Sequence, residues 1–351
     1  MWNGNYTFVV IQGRINSPPL LSRATLKELG MMEIRPDGSL AKPNELRITT
    51  DKDEVDADVM LVTTDGKTEI KQILSEFDSI FEGIGKIRDN RNDSELYVKF
   101  NMKPGAVPIA QKPRQVPYYL QKPLKQWLEE GVKSDIFEEV PPGTPVQWCS
   151  PLVVVPKPKF SKVDQDKLES HMIRAYVDLR IPNKFMERNR IIQSPVVEDF
   201  IYKFHKCKVF SKIDLRQGYH QLLLDPESRE VATLSTPWGN MRPKRLIFGA
   251  KCSQDLFDEQ MYRIFGDIPN CLNQRDDILI GGVNMAEHNK TLREVLKRAK
   301  DFGITFNRDK CEFGVDELEF YGYKFTKEGL KPTHEKVKAV KKQKRQNQKK
   351  Q

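Results

Sequence analysis

The chain has 351 residues, 38% hydrophobic and 30% charged, which allows a core in one large or two modest domains with long solvated faces. No apolar run approaches a membrane span and no signal peptide opens the chain, so no membrane partner is expected; the setting is intracellular, with cytoplasm and nucleus not distinguished. Nine of the 58 basic residues but only one of the 49 acidic residues fall in 331–351, so the net charge of +9 reports a tail rather than the body.

In chain order, residues 7–13 (TFVVIQG) alternate as a strand does, and 18–30 (PPLLSRATLKELG) read as a turn and a short helix. Together they resemble the C-terminal end of a retropepsin. A protease of that class needs two aspartates sharing a proton. No D-T-G or D-S-G occurs, and Asp37-Gly38 and Asp65-Gly66 lack the intervening hydroxyl residue. Residues 1–45 are therefore expected to be a remnant without protease activity. Residues 46–100 read as linker and lead-in, with a polar stretch over 36–69 and a helix over 72–87 (QILSEFDSIFEGIGKI).

Residues 101–335 carry the regular patterns. Pro104, Pro108, Pro113 and Pro117 keep the backbone extended. Leu120, Leu124, Trp127 and Leu128 have helical spacing, with Pro123 placed near the helix start. Residues 150–158 (SPLVVVPKP) predict a buried β-branched strand, with 175–180 (AYVDLR) as its partner. A second helix is predicted from Met285 to Phe302, with Asn284 as cap, Gly303 as stop and His288 as a packed residue. Cys149, Cys207, Cys252, Cys271 and Cys311 are odd in number with no CxxC, which predicts reduced thiols and no zinc site. Residues 336–351 form a basic tail read as disordered; nucleic-acid contact, a nuclear address and a solvated end all fit it.

Two segments about sixty residues apart carry the chemistry. Residues 210–221 read FSKIDLRQGYHQ and put Asp214 at the end of an apolar run; residues 271–282 read CLNQRDDILIGG and put Asp276 and Asp277 between two apolar stretches. Alone, either reads as an ordinary turn or cap. Adjacent carboxylates facing a third need neutralisation, and a pair of divalent ions supplies it. Between and after them come residues 236–249 (TPWGNMRPKRLIFG), 307–313 (NRDKCEF) and 320–332 (FYGYKFTKEGLKP).

This order resembles the reverse transcriptase of gypsy-class LTR retrotransposons, over roughly residues 70–338. The resemblance implies an α+β right-hand polymerase with fingers and an antiparallel palm sheet backed by helices, the thumb largely missing. It implies an RNA-directed DNA polymerase that takes an RNA or DNA template with primer and dNTPs; oligomeric state stays open. Asp214 and Asp276, with Asp277 close by and the carbonyl of Leu215 as a further donor, would hold two magnesium or manganese ions, which hard oxygen ligands suit. Lys157 and Arg174 would meet the triphosphate, as would the backbone N–H groups of Gln217 and Gly218. Tyr219 would lie under the sugar and exclude a 2′-hydroxyl, with Phe248 and Gly249 lining the nucleotide pocket. Asp178, Arg180 and Asn183 would follow the template, and Tyr321 and Gly322 the primer.

Three departures matter. Gln274 and Arg275 precede the aspartate pair where the family has Tyr before one intervening residue, and Arg275 is expected to place a cation beside the carboxylates. Residues 159–173 replace a tight fingers turn and bring Asp164, Asp166 and Glu169 toward the triphosphate path. The chain ends soon after the primer-side motif. A catalytically silent remnant that only binds nucleic acid is the competing reading.

Overall fold

The structure, a computed structural model, describes residues 62–89, 94–188 and 195–338. The expectations for residues 1–45 and for the tail beyond 338 lie outside the described residues. The described residues belong to one unit, Asp58–Gln351. Its elements, in chain order, begin with helices α1 (Val62–Glu76) and α2 (Tyr118–Lys133) and strands β1 (Phe137–Glu139), β2 (Ser150–Pro156) and β3 (Ile173–Val177). Helix α3 (Val197–Phe204) leads to β4 (Val209–Asp214), β5 (Leu234–Thr236) and β6 (Gly239–Pro243). Helix α4 (Ser253–Phe265), strands β7 (Cys271–Gln274) and β8 (Asp277–Gly282), and helix α5 (Met285–Asp301) follow. Strands β9 (Glu312–Val315), β10 (Glu317–Phe320), β11 (Tyr323–Thr326) and β12 (Gly329–Pro332) close the series.

Three sheets organise them. The central one runs β7-β8-β4-β9, all antiparallel. Its strands alternate, so their two faces bury different clusters. Ile213, Ile278 and Ile280 face the main core, which contains Phe257, Met261, Leu292 and Leu296 from α4 and α5. Phe210, Leu272 and Leu279 face a second core with Phe200 and Phe204 of α3 and Phe320 and Phe325 of the three-stranded sheet β10-β11-β12. A five-stranded sheet, β1-β6-β5-β2-β3, forms the other half, with α2 against it. The architecture is the mixed α+β one expected: an antiparallel sheet backed by helices, with a separate sheet beyond.

Local expectations hold unevenly. Asn284 caps α5 by accepting from the Glu287 N–H at 2.9 Å, and Gly303 ends it at φ +71°. The predicted strand pair is present, with Leu152 opposite Val177. Only the first half of β2 is buried, because Val155 lies 41% exposed at the far end of the hairpin. Pro123 falls at the sixth position of α2, past the first turn, so the helix forgoes one bond to the Tyr119 carbonyl. The polar stretch read as linker to 69 is helical from Val62, and the helix read over 72–87 stops at Glu76, followed by a single 3-10 turn, Asp78–Phe81. The helix packs against α5: a Cβ on Gly66 would stand 2.3 Å from Met285 Cγ, so the two helices approach closely at this residue.

Candidate active site

Strand β4 ends on Asp214, and its register partner on β8 is Asp277. Gln274 and Asp277 close the β7–β8 hairpin, leaving Arg275 and Asp276 as its two-residue tip, with Arg275 at φ +57°. The Leu215 N–H donates to the Asp276 carbonyl at 2.8 Å, which fastens the tip to the end of β4. A Cβ on Gly218 would stand 2.7 Å from Asp276 Oδ1. Three carboxylates from two distant segments thus share one end of the sheet.

Their charges are poorly compensated. The Oδ1 atoms of Asp214, Asp276 and Asp277 are all buried without a hydrogen-bond partner. Burial, reinforced by Asp214 and Asp277, raises the Asp276 carboxyl above its ordinary range. Burial raises Asp277 as well, with Lys212 opposing. Lys310 Nζ lies 3.3 Å from Asp214 Oδ1 and Lys212 Nζ 3.6 Å from Asp277 Oδ1. These lysines were not singled out from the sequence. Lys212 is legible afterwards as the residue two before Asp214, on the same sheet face and diagonal to Asp277. Lys310 has no such signal; it arrives because the Asn307 N–H donates to the Asp214 carbonyl.

The expectation that Arg275 is the cation beside the pair is not met. Its charge acts on Asp258 and Tyr219, on the α4 side of the hairpin. Arg275 makes no ion pair with Asp214, Asp276 or Asp277 among the described residues, and it borders the cavity that Asp258 lines. Gln274 is 3% exposed, and its Oε1 is buried without a partner. It borders a cavity of about 240 Å³ shared with Tyr202, Asp258, Tyr262 and Arg275.

Among the described residues, no group of three or more acidic, histidine or cysteine side chains is placed so that it could hold a metal ion. The donors are nonetheless of the hard type that a divalent cation takes: carboxylate oxygens at one end of the sheet. Among the described residues, Asp276 Oδ1 is buried with neither a hydrogen bond nor an ion pair, while Asp214 and Asp277 are faced only by lysines. The carbonyl of Leu215 accepts no hydrogen bond among the described residues.

Around the carboxylates, Gln217 takes a left-handed conformation (φ +51°), and the backbone N–H groups of Gln217, Gly218 and Tyr219 donate to nothing among the described residues. The Tyr219 ring is stacked on Phe248 at 4.4 Å and 29°, and burial followed by the Asp276 charge pushes its hydroxyl up to about 12, so it stays protonated. Phe248 is half exposed. Asn183 donates from Nδ2 to the Gly249 carbonyl at 2.8 Å and accepts the Lys251 N–H at 2.8 Å; its amide is committed to holding the 248–251 turn. Asp178 is buried, and hydrogen bonds from Arg180 hold its carboxyl at about 2, with Arg114 adding to them. Arg180 itself is 80% exposed.

Lys157 and Arg174 stand at the outer end of the β2–β3 hairpin, where Val155 is opposite Arg174. Lys157 Nζ donates to the His171 carbonyl at 2.7 Å. Residues 159–173, expected to replace a tight fingers turn, pack against α2 through buried Leu168 and through Ser170 Oγ donating to Glu130 at 2.7 Å. Of the acids of that segment, Asp164 pairs with Lys167 at 3.3 Å, and Glu169 lies 3.2 Å from His171 Nδ1. Phe320 and Tyr323 close the β10–β11 hairpin over Tyr321 (φ +52°) and Gly322 (φ +78°), the two residues expected to meet the primer. Tyr321 is 49% exposed. His288 is buried, neutral and hydrogen bonded to Ser211 and Asn289, as a packed residue should be. All five cysteines are free thiols. No helix among the described residues is long and apolar enough to cross a membrane.

Residues 159–325 match the family model described as reverse transcriptase (RNA-dependent DNA polymerase). The chain is 27% identical over 278 residues to the retrovirus-related Pol polyprotein from transposon 412 of Drosophila melanogaster, covering 78% of this chain and 21% of that protein. It is 31% identical over 229 residues to the corresponding polyprotein from transposon 297 of the same organism, covering 64% of this chain and 21% of that protein. The chain spans about a fifth of the length of these curated relatives. Among solved structures, a foamy viral protease-reverse transcriptase in complex with RNA/DNA hybrid superposes at a TM-score of 0.64 and 19% identity, covering 77% of this chain and 34% of that one. A second, in complex with double-stranded DNA, gives 0.63 and 20%, covering 82% and 50%.

Proposed function

We infer that this chain, which carries a reverse transcriptase domain of the kind found in retrotransposon Pol polyproteins, extends a primer on an RNA or DNA template using dNTPs. The observation that carries this reading is the placement of Asp214, Asp276 and Asp277 at one end of the sheet, with buried oxygens that accept no hydrogen bond and, among the described residues, only Lys310 and Lys212 as counter-charges. Two divalent ions held there, with the Leu215 carbonyl as a further donor, would activate the primer hydroxyl and neutralise the leaving pyrophosphate. The rest is positioning. Lys157 and Arg174 receive the triphosphate from the fingers hairpin; Lys157 keeps two N–H donors beyond the one given to His171. The free N–H groups of Gln217 and Gly218 line the same approach. Tyr219, backed by Phe248, lies on the sugar side, with Gly249 held by Asn183. Arg180, oriented by Asp178, tracks the template, and Tyr321 with Gly322 the primer.

The gypsy-class assignment, and a retropepsin remnant over residues 1–45, belong to the same reading. Primer extension on poly(rA)·oligo(dT) with magnesium or manganese tests it. Template binding without extension would favour the silent nucleic-acid-binding remnant instead.

A further inference from the structure

The hydroxyl of Tyr219 is tied down. It donates to Gln254 Oε1 at 2.5 Å, and Gln254 Nε2 donates to Asp258 Oδ1 at 2.7 Å. Gln254 and Asp258 stand one turn apart on the same face of α4. Asp258 Oδ1 thus takes the amide nitrogen. The amide oxygen is then left for Tyr219, whose hydroxyl has to donate. The hydrogen-bond network itself settles which way the amide points.

The ring is wedged as well, with Phe248 stacked on it at 4.4 Å and Phe257 tilted against it at 5.1 Å. A wall rejects a substituent only as firmly as the wall is held. With two aromatic neighbours fixing its plane, the remaining freedom is a swing that carries the hydroxyl away from α4, and Gln254 resists that swing.

We propose that Gln254, oriented by Asp258, is a positioning residue that sets how strictly Tyr219 rejects nucleotides bearing a 2′-hydroxyl. The inference rests on the reading of Tyr219 as the sugar-side residue. Without its acceptor, the buried phenol must turn to find another partner or draw in water, and either movement opens space beside the sugar.

The test measures binding of dATP and ATP to ternary complexes on a dideoxy-terminated primer, so that chemistry is not required. The variants are Gln254→Leu, Asp258→Leu, Asp258→Asn and Tyr219→Val, read as the ratio of Kd for ATP to Kd for dATP. Gln254→Leu and Asp258→Leu should each lower the ratio by about three- to tenfold, the equivalent of one net hydrogen bond, mainly by tightening ATP. Asp258→Asn still accepts at Oδ1 and should keep the parent ratio. Loss of affinity for both nucleotides with an unchanged ratio would show a packing role only and overturn the proposal. So would a ratio lowered by Tyr219→Val but not by Gln254→Leu. If Tyr219→Val leaves the ratio unchanged, or the parent binds neither nucleotide, the sugar-side reading itself is wrong and the proposal goes with it.

Discussion

Gly218 lies directly against Asp276: a methyl group in place of its hydrogen would sit 2.7 Å from the carboxylate oxygen and 3.0 Å from Phe257 Cζ. The residue is confined between an acid of the hairpin tip and the aromatic core of α4. Gly218→Ala must therefore move Asp276 or the segment that carries Tyr219. Overpacking of this kind costs about 1–3 kcal/mol of stability, and misplacing one carboxylate should lower extension by about a hundredfold. Thermal melts and extension rates of the variant check this, and parent-like extension would mean the hairpin tip is not part of the site.

Asp276 and Asp277 are raised above their ordinary carboxyl values. A group raised on folding favours the fold when protonated, so its contribution is present below about pH 4 and is lost as pH rises through the folded-state value. In a chelator the protein should lose stability across that rise, and magnesium, which binds only the charged, folded site, should restore it. Asp276→Asn should raise the melting temperature in chelator and weaken the response to magnesium. A melting temperature indifferent to magnesium in parent and variant alike would contradict this.

Lys310 and Lys212, not Arg275, are the cations placed on the carboxylates. Lys310 is 63% exposed, so its pairing contributes on the order of 0–1 kcal/mol. Lys310→Gln should leave stability within that range and lower the magnesium concentration at which Tm is half-raised, because a competing cation is gone. A higher requirement would mean Lys310 helps hold the ions' ligands in place rather than competing.

How much of this was legible follows from what each feature depends on. The acidic segments could be found because the chemistry dictates residue type, and the strands around them because apolar runs bracket each aspartate. The start of α1 was missed because its sequence is polar; its packing partner, α5 at Met285, lies far along the chain. The place of Arg275 was not legible because adjacency in sequence does not give direction; its charge acts on Asp258, which the fold brings to the hairpin from α4. Gln254 and Lys310 carry no local signal, since each acquires meaning only from a partner brought in by the fold.

Gln274 is buried with an unpartnered oxygen beside a cavity of about 240 Å³. An unsatisfied buried acceptor costs about 1–3 kcal/mol. Gln274→Tyr, whose ring can enter the cavity and whose hydroxyl can reach its polar wall, should raise both Tm and extension rate. Arg275 should be left alone, because a β-branched residue at φ +57° is strained. A lower Tm in Gln274→Tyr would show the cavity closed to the ring.

Tyr321 holds a left-handed backbone while half exposed, a conformation costing about 1 kcal/mol that glycine or asparagine relieves. Tyr321→Asn should therefore stabilise the β10–β11 hairpin by about that amount while weakening primer extension. Gain of stability with undiminished extension would remove this residue from the primer side.

The most direct test of the central claim compares parent and Asp214→Asn in primer extension on poly(rA)·oligo(dT), with template binding measured in parallel. The parent should extend with magnesium or manganese. Asp214→Asn should bind template with near-parent affinity and lose at least about 10²–10³ in rate, the scale seen for a single charge-stabilising group. Equal extension by the two proteins, or template binding with no extension by the parent, would contradict the account.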